Sequence, residues 1–182
     1  MFAVLIALWP AVRSPYLAGC AWTGNRLFSD FGADRAVDCR VLEPRREWID
    51  AEIRLYHREH PQRFHSLAAS GFLHAFVPWA VFLSLVLATP ATRKARLARA
   101  ALGSGLVALF TAARIGLRVA RDFTWIEVDG VRLLSLDPRA YSWLDSVSYV
   151  LFKDPTIGFV LPVAIWALVS VRWFPELARR EP

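Results

Sequence analysis

Four apolar stretches alternate with polar ones along the chain. Met1 to Trp22 opens with the run Phe2 to Val12, and Leu67 to Thr89 holds one histidine and no formal charge. Ala100 to Ala120 and Thr156 to Phe174 complete the set. Each approaches the roughly 20 residues that cross a hydrocarbon core of about 30 Å. The pattern therefore predicts four membrane-spanning helices, with Pro78 kinking the second and Pro162 inside the fourth. Pro10 interrupts the first, and Arg13 and Pro15 follow it, so this segment reads as a retained anchor or as a signal. Leu17-Ala18-Gly19-Cys20 has the form of a lipoprotein cleavage box, although no Lys or Arg precedes the apolar run.

The polar stretches suggest smaller elements. Within Thr23 to Ser66, residues Arg45 to His60 match a helix: Pro44 stands near its start and Pro61 after its end. Trp48, Ala51 or Glu52, Leu55 and Tyr56 fall at helical spacing, with Ile49 and Ile53 alongside, as expected of a helix lying on a membrane surface or on other helices. Trp125 to Leu134 reads as a short hairpin around Asp129-Gly130, a pair suited to a tight primed turn. Asp137-Pro138 has the form of a cap and first residue of a helix whose Tyr141, Leu144, Val147 and Leu151 share one face. The predicted fold is all-α integral membrane: about four transmembrane helices under a small external layer of amphipathic helices and one β-hairpin. Its parts are residues 1–22, a polar segment 23–66, a three-helix core 67–174 with an insertion at 121–155, and a tail 175–182.

Composition fits that reading. Of 182 residues 55% are hydrophobic and 21% charged, and the mean hydropathy of +0.34 is high for a soluble domain. Lys and Arg number 22 against 16 acids, a formal +6, which raises the question of nucleic acid. The distribution answers it. Residues 91–99 carry Arg93, Lys94, Arg96 and Arg99 with no acid, whereas 23–66 balances to zero and 121–155 holds four basic against six acidic side chains. Positive charge concentrated in one short loop is a topology signal. It places 91–99 and the tail with Arg179 and Arg180 in the cytoplasm of a bacterial inner membrane, 23–66 and 121–155 outside, and no nucleic acid among the partners.

Arg114 leads the candidate chemistry, because it lies about six residues, roughly 9 Å, inside the third span. Arg118 and Arg121 follow at i+4 and i+7 as one basic stripe. Either these stems snorkel to headgroups or pair with Asp122, Asp145 or Asp154, or Arg114 lines an outward-facing site for an anionic or carbonyl group. On another face Ser104, Ala108, Ala112 and Gly116 recur every four residues, a stripe that admits a close helix from a membrane-protein partner or a second copy. Ser70 and His74, also at i+4, read as a polar pair satisfying helix contacts or as a nucleophile and its base. Asp154-Pro155 has the form of a helix cap. His57, His60, His65 and His74 match no metal-ligand spacing, so neither metal nor cofactor is expected. Cys20 and Cys39 both fall on the predicted outer side, where a disulfide is possible.

The order Ala68-Ala69-Ser70-Gly71, a basic turn, then Thr111-Ala112-Ala113-Arg114-Ile115 resembles the core of the exosortase/archaeosortase family over residues 67–174. The resemblance implies an integral membrane protein-sorting transpeptidase with a Cys in a Cys-Ser-Gly-like motif, an Arg on the following helix and a later His or Arg. Arg114 matches that Arg, but Ala69 stands at the Cys and Asp154 near the late basic position. Acyl transfer through a thiol is then excluded. His74 with its following apolar run, and Arg139 to Asp145, are similar in turn to VanZ-like envelope proteins, though the acid expected near the end of the third span is missing. The expected function is a diverged exosortase-like scaffold that binds a peptide or lipid group at Arg114 without covalent chemistry. The alternatives are a structural or assembly subunit, with Trp125, Tyr141, Trp143 and Tyr149 as protein contacts, and a VanZ-like envelope protein.

Overall fold

The computed structural model describes residues 1–29, 34–46, 49–128, 131–132, 134–153 and 156–171. A short helix α1 (Phe2–Ala7) leads into α2 (Trp9–Phe28), and three strands follow: β1 (Arg35–Arg46), β2 (Ile49–His57) and β3 (Phe64–Ala69). A π-turn over Phe72–Phe76 opens α3 (Val77–Ala88), followed by α4 (Arg93–Phe123). The small strands β4 (Glu127–Val128) and β5 (Val131–Arg132) then precede α5 (Pro138–Lys153) and α6 (Ile157–Val171).

Four spans are not what the chain forms. Among the described residues only α4, 31 residues and roughly 46 Å long, is long and apolar enough to cross a membrane. Pro10 starts a second helix instead of continuing the first, and α2 then runs on through the polar residues to Phe28. Leu67 to Ala69, expected to begin the second span, belong to β3. The remaining apolar segments, Phe72–Ala88 and Ile157–Ser170, are shorter than a span requires. The basic loop at 91–99 is mostly the first turns of α4, whose start is capped by the Thr92 hydroxyl accepting from the Ala95 N–H.

The all-α expectation fails as well. The predicted helix at 45–60 is replaced by strand β2 and the end of β1, in an antiparallel meander ordered β1-β2-β3. From Ile49 to Leu55 apolar and polar residues alternate strictly, a period-2 signal over β-branched residues that outweighs the partial helical match. Register puts Val37 opposite Leu55, Cys39 opposite Ile53, and Ile53 opposite Leu67. Val37, Ile53 and Leu55 bury that face against Val119 and Phe123 of α4, with Phe28 and Ile115 beside them. Asn25 of α2 holds the edge strand by donating to the Cys39 carbonyl (3.1 Å) and accepting from the Cys39 N–H (2.6 Å). Those bonds satisfy a strand edge that would otherwise be open.

A second core joins α3, α4 and α6 through Phe82, Val86, Val107, Ile165 and Val169. Gly103 makes it possible: a Cβ there would lie 1.9 Å from the Phe82 ring, so only glycine lets α3 approach this closely. Pro78 produces a π-turn, in which the Val77 N–H bonds the Phe72 carbonyl five residues back. The hairpin forms as expected, Val128 pairing with Val131, although Asp129 and Gly130 lie outside the described residues. Asp137 caps α5 by accepting from the Arg139 and Ala140 N–H groups. The tail from residue 172 also lies outside the described residues.

Candidate functional site

The sheet meets the helices near the C-terminal end of α4, and polar side chains from five elements gather along that seam. Arg114 is 3% exposed and shares a face of α4 with Arg99, Gly103 and Val107, the face turned to the interior. Its Nη2 lies 3.3 Å from His74 Nδ1. A guanidinium only donates, so Nδ1 accepts and the imidazole is neutral with its proton on Nε2. Snorkelling to headgroups is ruled out for Arg114 by this inward placement.

Ser70 and Gly71 end the strand and begin the π-turn. The Ser70 hydroxyl accepts from the Leu73 N–H (3.2 Å), and the Gly71 N–H donates to Asp50 Oδ1 (2.6 Å). Asp50 is buried at the start of β2, with Arg13 Nε 3.9 Å from its second oxygen. The Ser70 hydroxyl thus serves the first turn after the strand, and His74 Nδ1 accepts from the arginine. Ala69 pairs with Ala51 at the end of β3.

The other two arginines of the stripe are paired. Arg118 Nε donates to Asp122 Oδ2 (2.8 Å) and Arg121 Nε to Asp145 Oδ1 (2.6 Å), with Arg121 Nη1 3.9 Å from Asp122. Two of the three acids expected as partners thus fill that role; Asp154 lies outside the described residues. Of the small-residue stripe, Ser104 accepts from the Trp79 indole (3.2 Å) and Gly116 faces the Phe28 ring, while Ala108 is exposed and Ala112 half-buried. Both thiols are free, Cys20 on the exposed side of α2 and Cys39 beside Gly24, one helical turn further along. Burial, with Asp38 adding to it, pushes the Cys39 thiol up to about 11. The His57 and His60 rings lie 5.8 Å apart and tilted, yet among the described residues no group of three His, Cys, Asp or Glu side chains could hold a metal.

Sequence reasoning missed Asp50 and Arg13. In the alternation of β2, Asp50 has the parity of the half-buried pair Glu52 and Arg54, and nothing local marks it as the one covered by α2 and the π-turn. Comparison with family models, with curated proteins and with solved structures finds no match to this chain.

Proposed function

We propose that the chain is a membrane-embedded binding protein. In this reading α4 lies in lipid with the shorter α3 and α6 packed along it, and the sheet rests on its outer end. The Arg114–His74 pair at the seam receives a carbonyl or anionic group of a peptide or lipid without forming a bond to it. The observation that carries this is α4 itself, because only 17% of its apolar window is buried. A core helix of a soluble protein is mostly covered, and a helix starting at Arg93 is no amino-terminal signal. Its outward residues include Leu102 and Leu109, and α6 adds Phe159, Val160, Val163 and Leu168, an apolar surface suited to acyl chains. Charge orients it: the basic end faces the cytoplasm of a bacterial inner membrane and the sheet faces out.

Within that frame we retain the exosortase-like relationship, as a diverged and non-catalytic one. Its support is that the two stretches carrying the resemblance meet, 68–71 leading into the turn that holds His74 and 111–115 supplying Arg114. The absence of a nucleophile at Ala69 limits the site to binding. Replacing Arg114 tests it. Lys keeps the charge but loses the planar fork, so Arg114→Lys and Arg114→Leu should both fail to complement a deletion strain at normal abundance, while Ala69→Ser complements. Full complementation by Arg114→Leu overturns the reading. An assembly subunit is the second reading, favoured by the exposed Trp125 and by Trp143, Tyr149 and Val150 along one side of α5. A stoichiometric protein partner after purification in mild detergent selects it, and a bound peptide or lipid selects the first.

A further inference from the structure

The two edges of the sheet are finished in opposite ways. In the order β1-β2-β3 each outer strand turns one row of backbone N–H and C=O groups away from β2, and an open row of that kind accepts an extended chain. On β1 the row is guarded. Asn25 of α2 bonds both backbone groups of Cys39, and the ladder shifts register between Val41 and Arg46. Pro44 and the charges of Asp38 and Arg40 stand along the same strand. A covering helix, an irregular ladder, proline and charge are the means by which edges are closed.

β3 has none of them. Phe64–Ala69 contains no proline, lysine, arginine or acid, and it pairs with β2 in unbroken register. Phe64, His65, Ser66 and Ala68 are exposed. Among the described residues no backbone group outside β2 bonds this strand. An unguarded edge invites aggregation when it stays empty, whereas one that pairs with a ligand needs no guard.

The course of the chain after β3 says what fits. Ala69 continues into Ser70, Gly71 and the turn that carries His74, held to β2 by the bond from the Gly71 N–H to Asp50. His74 in turn lies 3.3 Å from Arg114. A strand laid along β3 therefore brings one end to this pair. The guanidinium and the imidazole Nε2–H are both donors, which take a carboxylate and reject an ammonium. The end is then the carboxyl terminus, and the added strand runs parallel to β3. Its side chains alternate as well. Those on the side of Leu67 adjoin the core of Val37, Ile53 and Leu55 and are apolar; the others lie beside Ser66 and Ala68 and face water.

We propose that β3 binds an extended polypeptide by pairing with it as a fourth strand, the carboxyl end of the peptide meeting His74 and Arg114. The inference deepens the binding role given above and rests on it for the end group. Pairing along the backbone supplies affinity, and the alternate side chains with the terminal carboxylate supply selection.

The test follows amide hydrogen exchange in the full chain in detergent, with an octapeptide of alternating valine and serine, free at its carboxyl end, as the probe. Without peptide, every other amide of Phe64–Ala69 should exchange fast and the Cys39 amide slowly. The peptide should slow those fast amides on the order of tenfold, and its carboxamide form should need about ten times the concentration. A version with proline at every other position should have no effect. Amides of β3 already slow in the free chain, or slowing as its own concentration rises, show an edge covered by this chain or by a second copy and overturn the inference. Slowing by the proline peptide, or none by the parent, overturns it too. Arg114→Leu separates the two claims. Slowing that persists while acid and carboxamide become equal supports both. Slowing with the preference for the acid intact keeps the strand pairing and refutes the seam reading, with its placement of the terminus. Peptide binding, measured by calorimetry, that depends on Arg114 but leaves β3 exchanging fast refutes the strand pairing alone.

Discussion

The two ends of α4 each bury an arginine, in opposite company. At the C-terminal end Arg114 is met by His74, and its neighbours Arg118 and Arg121 are neutralised by Asp122 and Asp145. At the N-terminal end Arg99 stands among Arg93, Lys94 and Arg96, with no acid in the first turn. The contrast teaches that basic side chains meet the helix dipole in two ways in one helix, with it and paired near the C-terminal end, against it in the first turn. The C-terminal end supplies counter-charges to Arg118 and Arg121 from α4 and α5 and so holds a defined geometry. The N-terminal end gathers Arg93, Lys94 and Arg96 in its first turn with no acid among them, against the sense of the helix dipole.

Substitutions that break this contrast should differ in size. Asp122→Ala leaves Arg118 and Arg121 without their buried partner and should cost about 3 kcal/mol in denaturant unfolding, the largest effect of the set. Asp50→Ala removes a charged acceptor from the Gly71 N–H and should cost about 2 kcal/mol, loosening the turn that positions His74. Thr92→Ala uncaps α4 for about 1 kcal/mol. At the N-terminal end of α4 the sign reverses. Lys94→Glu places an acid on the positive end of the dipole and should stabilise the detergent-solubilised chain by about 0.5 kcal/mol when no anionic lipid is present.

Much of the region around the C-terminal end of α4 could be read in advance, and the reasons it could not be read fully are specific. Asp137 and Pro138 announce α5 because capping depends on adjacent residues, and the hairpin follows from the pair at 129–130 for the same reason. The sheet was legible in the alternation of Ile49, Ala51, Ile53 and Leu55, but the same residues also satisfy part of a helical template between two prolines. Arg114 stands out as a charge in an apolar run. Its direction does not, since periodicity assigns a face and only packing decides whether that face meets lipid or His74. Asp50 is the clearest loss: what buries it comes from α2 and from the π-turn, 20 or more residues away in either direction.

Cys39 offers a smaller check on the sheet-bearing end. Its thiol, raised by burial, stays protonated until pH nears 11, so the folded protein should alkylate there slowly at pH 8 and faster as pH rises. The sign for stability follows. Between the unfolded value near 8.5 and the folded one, the unfolded chain has lost this proton and the folded chain has not, so stability from this group is present below that window and is lost as pH rises through it. Alkylation of Cys39 at pH 8 as fast as in denaturant would contradict its packing under α2.

The account depends most on α4 facing lipid between its two charged ends. Leu109 is 67% exposed near the middle of that helix, away from both. A spin label at Leu109→Cys, in a chain whose Cys20 and Cys39 are replaced and which is reconstituted in vesicles, reports the surroundings through its collisions with oxygen and with a water-soluble nickel chelate. The account predicts frequent collisions with oxygen and few with nickel; frequent collisions with nickel would place the helix in water and contradict it.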